Sequence, residues 1–370
     1  MAVAAGGTGG HIYPGLAVAE AIRRIHPGAH VLFVGTKYGI EGDLVPAAGY
    51  QLHLVDMIPF SRRAGRKQYF APLITARAAL QSKQLLRAHG VDAVLGMGGY
   101  PSLPVIAGAR LAGLPSVIHE ANAVPGKANR LSALLTRNVA LAMSGEGCWH
   151  PPGGGVVVGT PIDPALERLD RTLTRPAARR RLGIDDDPWL VAFNGGSQGA
   201  ARLDDAAFEL AASLQERGDV RLLIKAARGQ SDALRDRIRA VGAGHIAEVV
   251  PHFERMPDVY AAADLMVTRA GAATIAELAA VGVPAILVPY PHAPGNHQAH
   301  NATALVAAGS AVLVPDNDTT GTQIRAHVNH LLRHPAQLAA MGAATAAAGS
   351  SDGATRLAHW VIRLAQERRA

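Results

Sequence analysis

Short apolar runs and stretches with helical spacing alternate along this chain, roughly 30 residues apart, a period that suits strand–helix units. A first short strand leads into Gly6. Further strand candidates fall at 31–34, 93–95, 116–119, 156–158, 190–193, 221–224, 247–250, 265–268, 285–288 and 311–314. This alternation predicts an α/β protein whose parallel sheets are covered by helices on both faces. Two halves are discernible. The first ends near Pro161, and a charged, Pro-containing segment at 171–187 opens the second. A last helical pattern, 354–366, places Leu357, Trp360, Val361 and Leu364 on one face at i, i+3, i+4 and i+7, so it needs a surface to pack on.

Glycine-rich turns follow strands in both halves: Gly6-Gly7-Thr8-Gly9-Gly10-His11, Gly96-Met97-Gly98-Gly99-Tyr100 and Gly195-Gly196-Ser197-Gln198-Gly199. In open parallel sheets ligands sit at the carboxyl ends of strands, where such turns lie. One turn alone reflects a tight strand-to-helix connection. The stretch from Arg269 to Asn301 adds a different signal. Its buried run ends in Arg269-Ala270-Gly271, and a helix opens near Ala272, Ala273 and Thr274, where free backbone N–H groups attract phosphate. Glu277 follows inside that helix, where a carboxylate can accept from sugar hydroxyls. His297, Gln298 and Asn301 offer neutral donors and acceptors. The dinucleotide pattern G-x-G-x-x-G fails, since its third glycine from Gly7 and Gly9 falls at Ile12, and the Walker pattern is absent.

Composition narrows the classes. A chain of 370 residues is comfortable for two domains. Aromatics at 4% leave few stacking platforms, which disfavours nucleic acid as a partner. The net charge of +7 favours an anionic partner. Cys148 is the only cysteine, which excludes an intramolecular disulfide and a cysteine-rich metal site. Asp185-Asp186-Asp187 and Asp316-Asn317-Asp318 stand beside Pro188 and Pro315 and read as turns, and His292, His297 and His300 lack zinc spacing, so no metal is expected. No signal peptide and no membrane-spanning run are recognisable. From Met57 to Val91 there is no acidic residue, whereas Arg62, Arg63, Arg66, Lys67, Arg77, Lys83 and Arg87 carry seven positive charges. Phe60, Tyr69, Phe70, Leu73 and Ile74 are interleaved with them. The expected contacts of an anionic membrane surface are Arg62, Arg63, Arg66, Lys67, Phe70, Leu73 and Ile74. The bland alternative is a solvated loop and helix with apolar residues facing the core.

Five motifs, in order across nearly the whole chain, resemble the MurG family of glycosyltransferases: GGTGGH, GMGGYPSLP, HEANAVPGKAN, GGSQGA and RAGAATIAE…HQAHNA. The resemblance implies a GT-B fold, two Rossmann-like domains facing across a cleft. The N-terminal domain (1–161) would bind the lipid acceptor and membrane, and the C-terminal domain (162–350) UDP-GlcNAc. The last helix (351–370) would pack back on the first domain. It implies inverting transfer of GlcNAc from UDP-GlcNAc to the C4 hydroxyl of MurNAc in lipid I, giving lipid II at the cytoplasmic membrane face, without a cofactor, among other cell-wall enzymes. Donor contacts carried over are Thr8, Gly9, Gly10, Asn122, Ser197, Phe253 (uracil), Ala272, Ala273, Thr274, Glu277 (ribose) and Gln298 (GlcNAc hydroxyls). His11 is the candidate general base, with Glu120 its rival. The sequence departs from many relatives at Asp163, where a basic residue is common, at Ala121, and at Pro294-Gly295-Asn296. Three alternatives stay open: a related transferase for another lipid acceptor, a UDP-sugar epimerase on a similar fold, for which basic membrane anchors would be unnecessary, and a non-catalytic nucleotide-sugar binder.

Overall fold

The apolar runs fold into two parallel sheets, seen in a computed structural model that describes residues 1–58, 70–185, 187–196, 199–349 and 352–370. Contacts divide the chain into unit 1, Met1–Asp163 with Ser351–Ala370, and unit 2, Pro164–Ser350. The division therefore falls two residues beyond the Pro161 expected from the sequence. In unit 1 the elements run β1 (Ala2–Ala4), α1 (Gly9–Ile25), β2 (Leu32–Gly35), α2 (Glu41–Ala47), β3 (Gln51–Leu54), α3 (Ala71–Ala88), β4 (Val94–Gly96), α4 (Ser102–Ala112), β5 (Ser116–Glu120), α5 (Lys127–Ser132), β6 (Asn138–Leu141) and β7 (Val156–Val157). Unit 2 continues with α6 (Pro164–Glu167), α7 (Arg171–Arg181), β8 (Trp189–Asn194), α8 (Ala201–Ser213), β9 (Val220–Lys225), α9 (Ser231–Ala240), β10 (Ala247–Val250), α10 (Met256–Ala262), β11 (Leu265–Thr268), α11 (Ala272–Val281), β12 (Ala285–Leu287), α12 (His297–Ala307), β13 (Ala311–Leu313), α13 (Gly321–Arg333) and α14 (Pro335–Ala347). The last helix, α15 (Gly353–Arg369), belongs to unit 1.

Strand order is β3-β2-β1-β4-β5-β6-β7 in unit 1 and β10-β9-β8-β11-β12-β13 in unit 2. Every strand pair is parallel. In each sheet the order reverses beside the unit's first strand, between β1 and β4 and between β8 and β11. Such switch points leave a crevice at the carboxyl ends of the strands.

The sheet of unit 1 is buried on both faces with a period of two. Val3, Phe33, Leu95, Val117 and Ala140 point into one apolar layer. Their neighbours Ala4, Val34, Val94, Ile118 and Val139 point into the other. Helix α15 closes the first layer with Leu357, Val361 and Ile362, while Trp360 and Leu364 pack at its margin. Polar ties fix its position: Arg24 Nη2 donates to Thr355 Oγ1 (2.9 Å), Arg368 Nη1 to the Val91 carbonyl (2.6 Å), and Arg369 pairs with Asp92 (2.6 Å).

In unit 2 one cation organises the entry to the sheet. Arg179 on α7 is 1% exposed. Its guanidinium donates to the carbonyls of Asp185 (2.9 Å from Nε) and Pro188 (2.5 Å), and lies 3.5 Å from Asp264 Oδ2. Asp264, just before β11, also pairs with Arg175 (2.7 Å) and accepts from the Leu190 N–H (2.8 Å).

Candidate active site

In unit 1 the predicted residues gather at the switch point. The Gly6-Gly7 turn leaves β1, and α1 opens at Gly9 with Thr8 as its N-cap. The Thr8 side chain makes no capping bond, so the first-turn N–H groups rely on other partners. Its Oγ1 lies 3.2 Å from His11 Nδ1 instead. Thr8 and Gly10 are exposed, Gly9 is buried and His11 half-buried. The imidazole rests on the second glycine turn. A Cβ at Gly98 would stand 3.1 Å from His11 Cδ2, and the backbone there has φ +87°, so both space and conformation require glycine.

One residue beneath these loops escaped the sequence reading. Glu41, the first residue of α2, is fully buried. Its Oε2 accepts from the Gly7 N–H (3.0 Å), and its Oε1 from both the N–H and the hydroxyl of Thr36 (3.0 Å each). Thr36 Oγ1 is 2.7 Å from the Tyr100 hydroxyl. A single carboxylate thus ties together the loops after β1, β2 and β4. The only signal in the sequence was an acid opening a helix just past a strand end.

Glu120 and Asn122 follow β5. Glu120 is 4% exposed. One of its oxygens accepts from Asn122 N (2.9 Å) and Nδ2 (3.2 Å), the other from Gly126 N (3.1 Å) and Asn129 Nδ2 (2.9 Å). Burial pushes its carboxyl above the usual range, against the pull of these bonds. The geometry thus gives Glu120 the task of folding the loop around itself. Asn129, also passed over in the sequence, links that loop to the His119 carbonyl (2.9 Å).

His119 lies inside the sheet, 1% exposed, with Nε2 3.0 Å from the Gly159 carbonyl, to which it donates. Burial lowers its pKa from 6.5 to about 4, the Gly159 bond opposing and nearby His11 adding to the shift. The folded state therefore holds a neutral imidazole where the unfolded chain protonates. Its contribution is complete above about pH 6.5 and lost as pH falls toward about 4, amounting to about 3 kcal/mol. Urea unfolding midpoints measured from pH 7 to pH 4 should fall along that window, and the His119→Asn variant should show a flatter pH slope there.

Unit 2 repeats the arrangement. After β8 the Gly196 N–H donates to Asn194 Oδ1 (3.0 Å), and Lys225 Nζ donates to the Gly196 carbonyl (2.7 Å). Ser197 and Gln198 lie outside the described residues. Gly199 has φ +75°, and a Cβ there would come within 2.3 Å of Ala227 Cα. Asp204 holds the Ala227 N–H (2.8 Å), so the obstructing backbone is itself fixed. Gly199→Ala should destabilise unit 2 by at least about 1–3 kcal/mol, the cost of a strained backbone alone. A urea unfolding curve would check it.

After β11, Gly271 caps α11 without a side-chain bond, and Ala272, Ala273 and Thr274 form its first turn. Arg269 holds the preceding turn: its Nη1 pairs with Asp316 (2.5 Å) and reaches the carbonyls of Val288 (3.2 Å) and Pro289 (3.3 Å). Asp316 also pairs with Arg202 (3.1 Å), so this carboxylate serves arginines. Asn301, expected to offer its amide to a sugar, is 1% exposed and donates to the Ala270 carbonyl (3.3 Å). Its position in the second turn of α12 points it inward. Gln298 lies one turn earlier and accepts from the Tyr290 N–H (2.9 Å) through Oε1. Glu277 accepts a 2.7 Å bond from the Tyr260 hydroxyl. Phe253 is half-buried between β10 and α10. Among the described residues no group of three His, Cys, Asp or Glu side chains is placed to hold a metal ion.

Thr8, Gly9, Gly10, His11, Glu120 and Asn122 therefore belong to one unit, and Phe253, Ala272, Ala273, Thr274, Glu277 and Gln298 to the other. Of the basic segment, Arg62, Arg63, Arg66 and Lys67 lie outside the described residues. Phe70 and Leu73, at the start of α3, are 62% and 70% exposed, and Ile74 is half-buried.

Residues 1–141 match the N-terminal domain of glycosyltransferase family 28, and residues 190–357 match its C-terminal domain. The chain belongs to glycosyltransferase family 28. Its similarity to members of that family is nearly full-length. It is 41% identical over 361 residues, 97% of this chain and 95% of the relative, to the UDP-N-acetylglucosamine–N-acetylmuramyl-(pentapeptide) pyrophosphoryl-undecaprenol N-acetylglucosamine transferase of Clavibacter michiganensis subsp. michiganensis. The transferase of the same name from Desulforudis audaxviator is 38% identical over 353 residues, 94% of this chain and 93% of that one. The crystal structure of Acinetobacter baumannii MurG superposes with a TM-score of 0.79 at 27% identity, covering 98% of this chain and 99% of that one. A UDP-GlcNAc 2-epimerase from Neisseria meningitidis bound to UDP-GlcNAc reaches a TM-score of 0.66 at 14% identity, covering 98% and 99% of the two chains, which makes it a relative in fold. The GT-B class expected from the motifs is thus the fold of this family 28 chain.

Proposed function

We propose that this family 28 chain is a MurG-type transferase that moves GlcNAc from UDP-GlcNAc to the C4 hydroxyl of MurNAc in undecaprenyl-pyrophosphoryl-MurNAc-pentapeptide (lipid I), giving lipid II and UDP. The observation that carries this reading is the 41% identity to a transferase of that name across 97% of the chain. In the reaction, the C4 oxygen bonds to C1 of GlcNAc on the face opposite UDP, the C1–O bond to the β-phosphate breaks, and the configuration inverts. The hydroxyl proton passes to a base, for which His11 is our choice. The role requires the tautomer with its hydrogen on Nδ1, which lies 3.2 Å from Thr8 Oγ1, so that Nε2 takes the proton. Each unit offers N–H groups at a helix start, Thr8, Gly9 and Gly10 in one and Ala272, Ala273 and Thr274 in the other, of the kind that meets charge growing on a departing diphosphate. Glu277 would hold the ribose, Phe253 the uracil, and Gln298 the GlcNAc hydroxyls, with Asn122 and Ser197 completing the donor contacts. No cofactor is required by this scheme.

We also assign a membrane-facing role to α3. Phe70, Leu73, Arg77 and Leu80 follow one another at spacings of three, four and three, and all four are exposed. That makes one apolar stripe with a cation in it, in a segment without acids, suited to anionic lipid at the cytoplasmic face. No described helix is long and apolar enough to cross a membrane. Leu73→Asp should weaken binding to vesicles containing phosphatidylglycerol about tenfold, as expected for losing a buried leucine. Unchanged co-sedimentation would refute the assignment. The reaction is tested by UDP release from UDP-GlcNAc with and without a lipid I analogue, the product identified by mass. Release that depends on the analogue and yields a lipid-linked disaccharide is expected. Demonstrated UDP binding without release would favour another acceptor or a non-catalytic binder.

A further inference from the structure

Glu277 stands on α11 with its carboxylate already engaged by a group that nothing in the sequence singled out. Tyr260, on α10, is completely buried. Its hydroxyl donates to Glu277 Oε2 at 2.7 Å. A buried phenol must find a partner. The ring of Tyr260 is enclosed by the core, so its hydroxyl is a fixed point in space. Glu277 is different, a half-buried side chain with three rotatable bonds. A carboxylate has about four acceptor positions, and the tyrosine bond takes one of them, so that bond is compatible with accepting from the hydroxyls of a ligand.

We propose that Tyr260 is the positioning residue of the nucleotide site: its buried hydroxyl fixes the Glu277 carboxylate in the orientation that receives the ribose diol of the donor. The inference rests on the reading of Glu277 as the ribose-binding residue and extends it to a residue that touches no ligand. Chemically, the bond orders the carboxylate before the nucleotide arrives, so the ordering cost is met in the fold and not in binding. The effect is specific to the ribose hydroxyls. Tyr260 should leave the uracil and diphosphate contacts untouched.

The test removes one oxygen from the protein and two from the ligand. Dissociation constants for UDP and for 2′,3′-dideoxy-UDP are measured by calorimetry on the full chain and on Tyr260→Phe. The expected result is that the native chain clearly prefers UDP, that Tyr260→Phe weakens UDP binding about five- to twentyfold, a part of what a hydrogen bond to a charged group is worth, and that dideoxy-UDP binding changes less than twofold. Equal weakening of both nucleotides would mean general softening of the unit and would overturn the proposal, as would no weakening of UDP. A native chain that binds both nucleotides equally would instead overturn the ribose reading of Glu277, and the proposal with it. A second measurement guards against a damaged variant. In a Glu277→Ala background, where the carboxylate is gone, adding Tyr260→Phe should leave UDP affinity unchanged. Additive losses there would show that Tyr260 acts by another route.

Discussion

His11→Ala should lower turnover about 10²–10⁴-fold while UDP binds with nearly its native affinity; that range is what a positioned general base contributes. The His11 ring is half-buried, lies beside an N-cap hydroxyl, and packs on a glycine turn that no side chain could occupy. Steady-state rates with a lipid I analogue, alongside calorimetry with UDP, separate the two quantities. A rate within threefold of native would remove His11 from the role. Glu120→Gln behaves differently. Its carboxylate holds four N–H groups, so the substitution should loosen the 121–126 loop and lower stability as well as rate.

Arg179→Met should cost unit 2 about 3–5 kcal/mol, the usual result of removing one partner from a buried ion pair. The methionine fills much of the volume but leaves the carbonyls of Asp185 and Pro188 without their donor, and Asp264 with one fewer cation. Asp264 links the start of β8 to the start of β11, the two strands that flank the switch point. The loss should therefore appear in the urea midpoint of unit 2. Arg363→Ala is the control. Its 3.9 Å pair with Glu367 is exposed on both sides, and the expected change is within about 0.5 kcal/mol. Comparable losses in the two variants would refute the claim that Arg179 is special.

Apolar periodicity was a good guide where strands are covered on both faces. The runs leading into Gly6, Gly96, Gly195 and Arg269 all became strands flanking the two switch points. It failed at β3 and β6. Gln51–Leu54 is an edge strand with no fully buried residue, so its residues carry no apolar signature. Asn138–Leu141 is short and begins with an asparagine whose side chain bonds the Ser116 carbonyl (3.1 Å), a contact invisible until the sheet is formed. The same distinction holds within the site. Most of the residues proposed to face a ligand sit in motifs, which is what made them candidates. Glu41 and Tyr260 work behind those motifs, and Arg269, which opens one, is held by Asp316; their meaning depends on partners distant in sequence. Asn301 shows the reverse error: it sits in a motif, yet helical phase turns it toward the turn it supports.

Helix α15 gives the chain an order of assembly. Residues 164–349 form their sheet from one continuous stretch, whereas the sheet of residues 1–163 has one apolar layer closed by Leu357, Val361 and Ile362. As the polypeptide leaves the ribosome, the half made first must wait, with part of that layer in water, until everything after it has been translated. The half made second reaches its native form first. A nascent chain held after residue 350 has cleared the ribosome, with an unrelated tether in place of α15, would thus display a folded C-terminal half behind an N-terminal half still in need of chaperoning, and supplying α15 as a separate peptide would be the way to release it.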